Sequence, residues 1–274
     1  MQTLAADPAE LMIVTSKDGT PIALWKSGSG PPLLAVHGTA ADHTAWDNVV
    51  PLLAGDFTVY AMDRRGRGAS GVAPDYALER EFEDVAAAVD ALPGPVHLYG
   101  HSGGGVMSVE AATRTRNLGS LMLYEGGFAK PPGLRLMPDE LIARLEALIQ
   151  TGHREEALTT FMLEAAAVTP DELEVLRRQS AWPGRVAAVH TIPRELRAFN
   201  DYGTDLARFD AIEAPVLLVV GELSEPRRRE MFERMAQAFK NARLAVLSGQ
   251  RHTAHQTAPH LLANALREFL LVDV

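Results

Sequence analysis

Short apolar runs alternate with helical patterns along most of the chain, and this alternation constrains the fold more than any other feature of the sequence. In the first 126 residues the predicted strands are LMIVTS (11–16), PIALWKS (21–27), PLLAVHG (32–38), FTVYAMD (57–63), VHLYG (96–100) and SLMLYEG (120–126). Helical patterns at about 43–53, 78–92 and 103–115 separate the later runs. Alternation of this kind predicts parallel strands in a sheet that helices cover on both faces.

The two ends of this pattern complete the predicted sheet. KDGT joins the first two runs, and its Asp18-Gly19 pair predicts a hairpin, hence an antiparallel edge. The alternation resumes with PVLLVVG (215–221), a helix at about 226–240, RLAVLSG (243–249) and a final helix opened by Thr257 and Pro259. Together the runs predict a mostly parallel sheet of eight strands.

Between these halves the pattern becomes purely helical. MPDELIARLEALIQTG places three leucines on one helical face and ends at Gly152. TPDELEVLRRQSA opens with Thr169 and Glu172 at the spacing of a capping box, and TIPRELRAF predicts a further short helix. The sequence therefore predicts a core domain made of 1–128 and 209–274, with an all-helical cap inserted at 129–208.

Composition excludes several classes of protein. The hydrophobic share of 47% and the charged share of 22% are typical of a globular protein, and the net charge of −9 argues against a nucleic-acid partner. The chain has no cysteine, so disulfides and thiolate metal sites are excluded. We see no signal peptide and no apolar run near the roughly 20 residues that span a bilayer. We expect a cytoplasmic protein without a membrane partner, as a monomer or homodimer.

A candidate nucleophile lies where the strand VHLYG meets the following helix. The residues are Gly100-His101-Ser102-Gly103-Gly104, a G-x-S-x-G motif in the strand-to-helix context that the motif requires. Small neighbours permit the sharp turn that lifts the serine hydroxyl above the sheet. The alternative is a glycine-rich turn with an incidental serine, but the flanking elements favour Ser102 as the nucleophile. The side chain of His101 is expected to point away and to be structural.

With this motif the sequence resembles the α/β-hydrolase fold family. Three other segments match the family's loops in the family's order, namely HGTAADHTAW (37–46), DRRGRGAS (63–70) and GQRHTAHQTAP (249–259). The resemblance covers nearly the whole chain. It implies an α/β-hydrolase fold with a helical cap, and acyl chemistry on a serine without a cofactor.

Acyl transfer also needs an oxyanion hole and a base. The N–H of Gly103, directly after the nucleophile, is one expected donor. By resemblance the other is the N–H of Thr39, whose hydroxyl is a possible third donor. The resemblance assigns His252 as the base, with His255 as the alternative. A zinc site on these two histidines is disfavoured because no third ligand is evident nearby, so no metal is expected.

The acid is less obvious. In LLVVGELSEPRRR (217–229) the expected position carries Ser224, which cannot supply a negative charge. Glu125 ends the sixth apolar run, and some family members, zearalenone lactonases among them, place their acid after strand six. We therefore favour Glu125, with Glu225 and Glu222 as alternatives.

These residues predict a serine hydrolase that cleaves an ester or lactone through an acyl-enzyme on Ser102. By analogy with other capped members, the substrate is expected to be small to medium-sized and apolar. Candidate lining residues in the cap are Trp182, Phe161, Met162, Phe199 and His190. The alternatives are a cofactor-free perhydrolase or haloperoxidase, a hydroxynitrile-lyase-type activity, and a non-catalytic ligand-binding protein of the same fold.

Overall fold

A computed structural model describes residues 9–126, 133–203 and 205–272, and the strands of this part form one eight-stranded sheet. They are β1 (Glu10–Thr15), β2 (Pro21–Gly28), β3 (Pro32–Val36), β4 (Thr58–Met62), β5 (Val96–His101), β6 (Leu118–Tyr124), β7 (Val216–Gly221) and β8 (Ala242–Leu247). Their order in the sheet is β1-β2-β4-β3-β5-β6-β7-β8. β2 pairs antiparallel with β1 and β4, and the other neighbours are parallel. The predicted fold class is confirmed.

Helices pack on both faces of the sheet and fill the segment between β6 and β7. They are α1 (Val50–Leu53), α2 (Leu78–Ala91), α3 (Gly103–Ala112), α4 (Asp139–Gln150), α5 (Arg154–Glu164), α6 (Pro170–Arg177), α7 (Trp182–Ala188), α8 (Ile192–Asp201), α9 (Pro226–Ala238), α10 (Ala254–Thr257) and α11 (Pro259–Val272). Short 3-10 turns occupy His43–Trp46, Val189–Thr191 and Leu206–Ala211. Across the described ranges, none of these helices combines the length and the apolar character that crossing a bilayer requires.

The predicted helix at 43–53 is wrong in one respect, because the segment divides into the 3-10 turn and α1. Pro51 lies in the first turn of α1, and a proline removes an N–H donor and disfavours helical geometry in the residue before it. Asp42 caps the 3-10 turn by accepting a hydrogen bond from the N–H of Thr44 at 3.0 Å.

Alternate residues of the central strands face two separate cores. In β7, Val216, Leu218 and Val220 belong to the core that includes residues of α2, α3 and α9, while Leu217 and Val219 belong to the core that includes residues of α1 and α11. Side chains alternate along a strand, so an unbroken apolar run suits a strand that is buried on both faces. Full burial of one such side chain contributes about 1.5–3 kcal/mol to folding.

The helical segment forms a third core, which lies over the loop that follows β3. Leu145, Leu158 and Ile192 belong to this core, and it includes Ala40 of that loop. The predicted capping box is present, since the N–H of Glu172 donates to the Thr169 hydroxyl and Glu172 Oε2 accepts from the N–H of Thr169. The cap boundaries at 129 and 208 stay a prediction, and 129–132 and 204 lie outside the described residues.

The topology brings four loops together at one edge of the sheet. β5, β6, β7 and β8 are successive parallel neighbours, so their carboxyl ends lie side by side. Ser102 directly follows β5 and Glu125 directly follows β6. Ser224 and His252 lie in the loops after β7 and β8. Ligands of open α/β sheets bind at this edge.

Candidate active site

Ser102 occupies a strained turn between β5 and α3. Its φ of 53° and ψ of −123° lie in a region that residues other than glycine rarely adopt. Two glycines make the turn possible: a Cβ on Gly104 would overlap the backbone of Val36 and His37, and one on Gly126 would overlap the carbonyl of Ser102 itself. The backbone N–H of Ser102 donates to the carbonyl of Tyr124 at 3.0 Å, which ties the turn to the end of β6.

Three side chains from the ends of β5, β6 and β8 form a continuous hydrogen-bonded chain. Ser102 Oγ lies 3.0 Å from His252 Nε2, and His252 Nδ1 lies 2.9 Å from Glu125 Oε2. The serine hydroxyl can donate to Nε2, while Nδ1–H donates to the carboxylate. This is the arrangement of nucleophile, base and acid that acyl transfer requires.

Glu125 is a buried carboxylate that the surrounding loops hold by several donors. Its side chain is fully buried, and the N–H of Gly221 donates to Oε1 at 2.8 Å. The Ser224 hydroxyl also donates to Oε1, and Arg228 Nη1 donates to Oε2 at 2.9 Å. Burial raises the pKa of Glu125, but His252, Arg228 and the Ser224 hydroxyl outweigh it and bring this pKa to about 2. The carboxylate is therefore ionised at neutral pH.

The two alternative acids, Glu222 and Glu225, have other partners in this structure. Glu222 accepts hydrogen bonds from the Ser248 hydroxyl and the Gly249 N–H, and Glu225 pairs with Arg227. Both carboxylates are engaged in the solvent-facing part of the loop, and neither contacts His252. Ser224, at the position where an acid was expected, is instead a donor to the acid.

The surroundings of His252 keep its imidazole ring neutral at pH 7. Burial and the charge of Arg228 lower its pKa, while the hydrogen bond and charge of Glu125 oppose this shift. Arg228 Nη1 also lies 2.7 Å from His252 Nδ1, but Nδ1 cannot donate to Glu125 and accept from Arg228 at once. With its proton on Nδ1, the ring leaves Nε2 free to accept from Ser102.

The neighbouring histidines support the base rather than replace it. His101 Nε2–H donates to the backbone carbonyl of His252 at 2.9 Å, which fixes the loop that carries the base. His255, the alternative base, packs against His101 with ring centroids 4.3 Å apart and makes no hydrogen bond to Ser102. Burial holds the pKa of His101 and of His255 well below the ordinary value. No cluster of metal-ligating side chains occurs in the described ranges.

The two expected oxyanion donors lie on adjacent backbone segments. Gly103 is the first residue of α3, where helical N–H groups have no intrahelical acceptor. A Cβ on Gly103 would stand 3.0 Å from Thr39 Oγ1, and one on Gly38 would stand 3.0 Å from Ser102 Cβ. His37 fixes this loop, because its Nδ1–H donates to the carbonyl of Gly38 at 2.8 Å and its Nε2 accepts from the N–H of Arg64.

The Thr39 hydroxyl, a possible third oxyanion donor, has another partner in this structure. It donates to Glu195 Oε1 at 3.0 Å, so its proton is directed away from Ser102. Glu195 lies on α8 and is fully buried, where it pairs with Arg64 at 2.7 Å and with Arg67. Arg64 also pairs with Glu81 at 2.7 Å. Two arginines and two glutamates thus form a buried, charge-balanced network beneath the oxyanion loop.

A cavity with two compartments flanks Ser102. The first, the Arg185 compartment, encloses about 470 Å³ including its opening to solvent, and its lining includes Phe161, Met162, Arg185 and His255. The second, the Phe199 compartment, is bordered by Met137, Phe161, Leu196 and Phe199. Both compartments border Ser102 and His252.

The predicted lining residues divide into two groups. Phe161, Met162 and Phe199 border the cavity. Trp182 does not, since its indole N–H donates to Glu155 at 3.2 Å and its ring packs under Arg177. His190 is exposed and bonds to the carbonyl of Ala187. Helical periodicity had not identified which face of these short helices turns toward the core.

Sequence reasoning missed three charged residues, Arg185, Arg228 and Glu195. Arg185 carried a signal, since it is the one charged residue in the apolar segment WPGRVAAV. Arg228 lay in a run of three arginines that resembled a solvated helix start. Glu195 had no distinguishing pattern.

The eight-stranded sheet and its flanking helices define a class of protein, the α/β hydrolases, and comparison with known proteins agrees. The model of the alpha/beta hydrolase family matches residues 33–265, so the chain belongs to this family. An alpha/beta hydrolase from Sphaerobacter thermophilus has a similar crystal structure, with a TM-score of 0.80 at 38% identity, covering 94% of this chain and 100% of that one.

Two curated relatives show how far the similarity extends. N-formylmaleamate deformylase of Pseudomonas putida is 30% identical over 73% of this chain and 75% of its own length. Probable oxidoreductase EphD of Mycobacterium tuberculosis is 40% identical over 101 residues, and the matched stretch is 34% of this chain but only 17% of EphD. The EphD match therefore concerns a limited part of both proteins.

Proposed function

We propose that this protein is a serine hydrolase that cleaves a carboxylic ester or lactone through an acyl-enzyme on Ser102. The observation that carries the proposal is the chain from Ser102 Oγ to His252 Nε2, at 3.0 Å, and from His252 Nδ1 to Glu125 Oε2, at 2.9 Å. A serine hydroxyl is a weak nucleophile until such a base removes its proton.

In the first half of the reaction, Ser102 Oγ forms a bond to the carbonyl carbon and its proton passes to His252 Nε2. The carbonyl electron pair becomes an oxyanion, which the N–H groups of Gly103 and Thr39 stabilise. The imidazolium that forms is stabilised by the ionised Glu125. As the carbon–oxygen bond breaks, the leaving alkoxide takes the proton from Nε2 and departs as an alcohol.

In the second half, water takes the place of the alcohol. Its proton passes to His252 Nε2 while its oxygen attacks the acyl carbon, and the same oxyanion site stabilises the intermediate. Collapse of this intermediate breaks the bond to Ser102 Oγ, which recovers its proton from Nε2. The carboxylic acid is released, and the site returns to its starting protonation state.

The helical segment between β6 and β7 supports the proposal as a cap. Phe161 and Met162 of α5 and Phe199 of α8 border the cavity at Ser102, so the insertion supplies much of its apolar surface. One relative is named for a deformylation, and the same triad serves when the leaving atom is nitrogen, so N-formyl amides belong in a substrate panel. The cytoplasmic location and the monomeric or dimeric state stay predictions.

Covalent labelling and turnover together test the proposal. A fluorophosphonate is expected to modify the wild-type protein at Ser102, and p-nitrophenyl acetate and butyrate are expected to be hydrolysed. Ser102→Ala should lose both properties with an unchanged melting temperature. A wild-type protein that neither reacts nor turns over these esters would favour a non-catalytic ligand-binding role. Hydrolysis that survives in Ser102→Ala would contradict Ser102 as the nucleophile.

A further inference from the structure

Arg185 is a buried guanidinium that borders the candidate catalytic cavity. It lies on α7, is 7% exposed, and shares the Arg185 compartment with Ser102 and His252. Its guanidinium donates from Nη1 to the carbonyl of Ala40, at a long 3.4 Å. Burial lowers the pKa of Arg185 to about 10, and the charge of Asp42 opposes this shift without forming an ion pair within 4 Å. Arg185 is therefore a cation without a carboxylate partner among the described residues.

The other buried arginines of the described ranges all have carboxylate partners. Arg64 pairs with Glu81 and Glu195, and Arg67 also pairs with Glu195. Arg65 pairs with Asp84 at 2.6 Å. Burial of a charge is costly unless an opposite charge and hydrogen bonds compensate it. Each of these three guanidinium groups has its compensation inside the protein, whereas that of Arg185 faces a cavity.

The surroundings of Arg185 leave its charge available. The lining of the Arg185 compartment contains no aspartate or glutamate. His101, His252 and His255 also line it, and burial lowers the pKa of each, so they are neutral at pH 7. Asp42, the nearest acid, accepts hydrogen bonds from the N–H and hydroxyl of Thr44. The other arginine bordering the cavity, Arg228, is paired with Glu125.

We propose that Arg185 binds a carboxylate of the substrate, so that the substrates are acyl compounds with a free carboxylate, such as half-esters of dicarboxylic acids. This inference rests on the proposed function, and it replaces the purely apolar substrate expected from the cap. A guanidinium offers parallel N–H donors that match a carboxylate. Bound in this way, the substrate places its anionic end in the Arg185 compartment, with the apolar Phe199 compartment open to the rest.

A comparison of half-esters with diesters tests the assignment on the wild-type protein. Monomethyl and dimethyl esters of succinic, glutaric and adipic acid differ in one charge at nearly constant length. We expect kcat/KM for the best half-ester to exceed that of its diester at least 10-fold. Arg185→Gln should lower kcat/KM for the half-ester about 10- to 100-fold, the range of a charged hydrogen bond, and should lower kcat/KM for the diester far less. Arg185→Lys should retain part of the preference.

Arg154→Gln is the matched control. Arg154 donates to the carbonyls of Val186 and Ala187 on the same helix, but it lies outside the cavity. The ratio of kcat/KM for the half-ester to kcat/KM for the diester should not change in Arg154→Gln. Equal rates of half-ester and diester in the wild-type protein, or an equal loss of both in Arg185→Gln, would overturn the inference while leaving the proposed function intact.

A binding measurement separates the inference from the proposed function. In Ser102→Ala, which cannot form an acyl-enzyme, calorimetric titration with monomethyl glutarate should show binding that the Arg185→Gln change abolishes. Dimethyl glutarate should bind weakly both to Ser102→Ala and to the double variant that also carries Arg185→Gln. If the wild-type protein hydrolyses no ester but this charge-dependent binding is present, the proposed function fails and the anion site stands. If the double variant binds as tightly as Ser102→Ala, the anion site fails.

Discussion

The hydroxyl of Ser224 and the carboxylate of Glu125 come from the ends of neighbouring strands and are joined by a hydrogen bond. The Ser224 hydroxyl of the loop after β7 donates to the carboxylate that follows β6, as do the N–H of Gly221 at the end of β7 and an N–H of Arg228 on α9. These donors favour the ionised form of Glu125 and fix its orientation. The charge that stabilises the imidazolium therefore depends on two loops.

Glu125→Gln should lower kcat by about 10³- to 10⁴-fold, because the amide cannot stabilise the imidazolium or hold the correct tautomer of His252. The melting temperature should change far less than the rate. Ester hydrolysis and thermal unfolding measure the two effects. Glu225→Gln and Glu222→Gln are controls on the neighbouring loop and should retain nearly full activity. A severe loss in Glu225→Gln instead would assign the acid to the loop after β7.

Arg228→Gln should shift the acid limb of the pH profile of kcat/KM to higher pH. Burial lowers the pKa of His252 first, and the Arg228 charge lowers it further, so removal of that charge raises this pKa. His252 must be neutral to act as a base, and activity therefore begins at a higher pH in the variant.

Arg227→Gln is the control for this profile, because Arg227 is exposed and pairs with Glu225. Its acid limb should coincide with that of the wild-type protein. If the acid limb of the kcat/KM profile of Arg228→Gln lies at the same pH as that of the wild-type protein, another group controls the activity at low pH.

Helix α8 is joined to the core by charge as well as by apolar contact. Glu195 accepts from Arg64 and Arg67 of the loop after β4, and from the Thr39 hydroxyl of the oxyanion loop. All three charged groups are buried. The carboxylate of Glu195 therefore links α8 to both the loop after β4 and the oxyanion loop.

Glu195→Gln should reduce the free energy of unfolding by about 3–5 kcal/mol, because it leaves buried arginine charge without its partner. Glu146→Gln is the matched control, since it breaks a partly exposed pair between α4 and Arg197 of the same helix α8. A pair of that kind contributes about 0–1 kcal/mol. Urea unfolding of both variants measures the difference, and equal losses would show that the buried network does not stabilise α8.

The elements and the candidate triad could be predicted from the sequence for a physical reason. Apolar runs mark strands buried on both faces, and the carboxyl ends of adjacent parallel strands meet, so Ser102, Glu125 and His252 could be proposed from chain position and family resemblance. The buried positions of Arg185 and Glu195 could not, because they depend on how α7 and α8 lie on the core. Trp182 and His190 were misplaced for the same reason, since a short helix has an apolar face whichever way it turns.

The molecule as a whole should lose stability as the pH falls below about 6.5. Burial is the largest influence in each case and lowers the pKa of His37, His97, His101, His252 and His255. The unfolded chain then binds protons near pH 6.5 that the folded protein does not, so stability is present above that pH and is lost below it. At His43 burial also lowers the pKa, but Asp63 outweighs it and raises the pKa overall, which opposes the trend at one site.

Urea unfolding at pH 7.5 and 5.5 measures this dependence. Each imidazole that stays neutral in the folded protein lowers the free energy of unfolding by at most about 1.4 kcal/mol per pH unit below its pKa in the unfolded chain. His255→Gln should show a shallower decline, whereas His153→Gln, which changes an exposed ring, should parallel the wild-type protein. Equal stability at the two pH values would contradict the burial of these rings as neutral groups.

The buried network around Glu195 also bears on how a substrate reaches Ser102. If α8 left the core as a rigid lid, two guanidinium groups would lose their shared counter-charge inside the protein, at a cost of several kcal/mol. We therefore expect α8 to stay on the core while a substrate enters, so that any rearrangement falls to the neighbouring helices. A helix that stays in place limits how far the entrance can widen, and we therefore expect bulky esters to be poorer substrates than small ones.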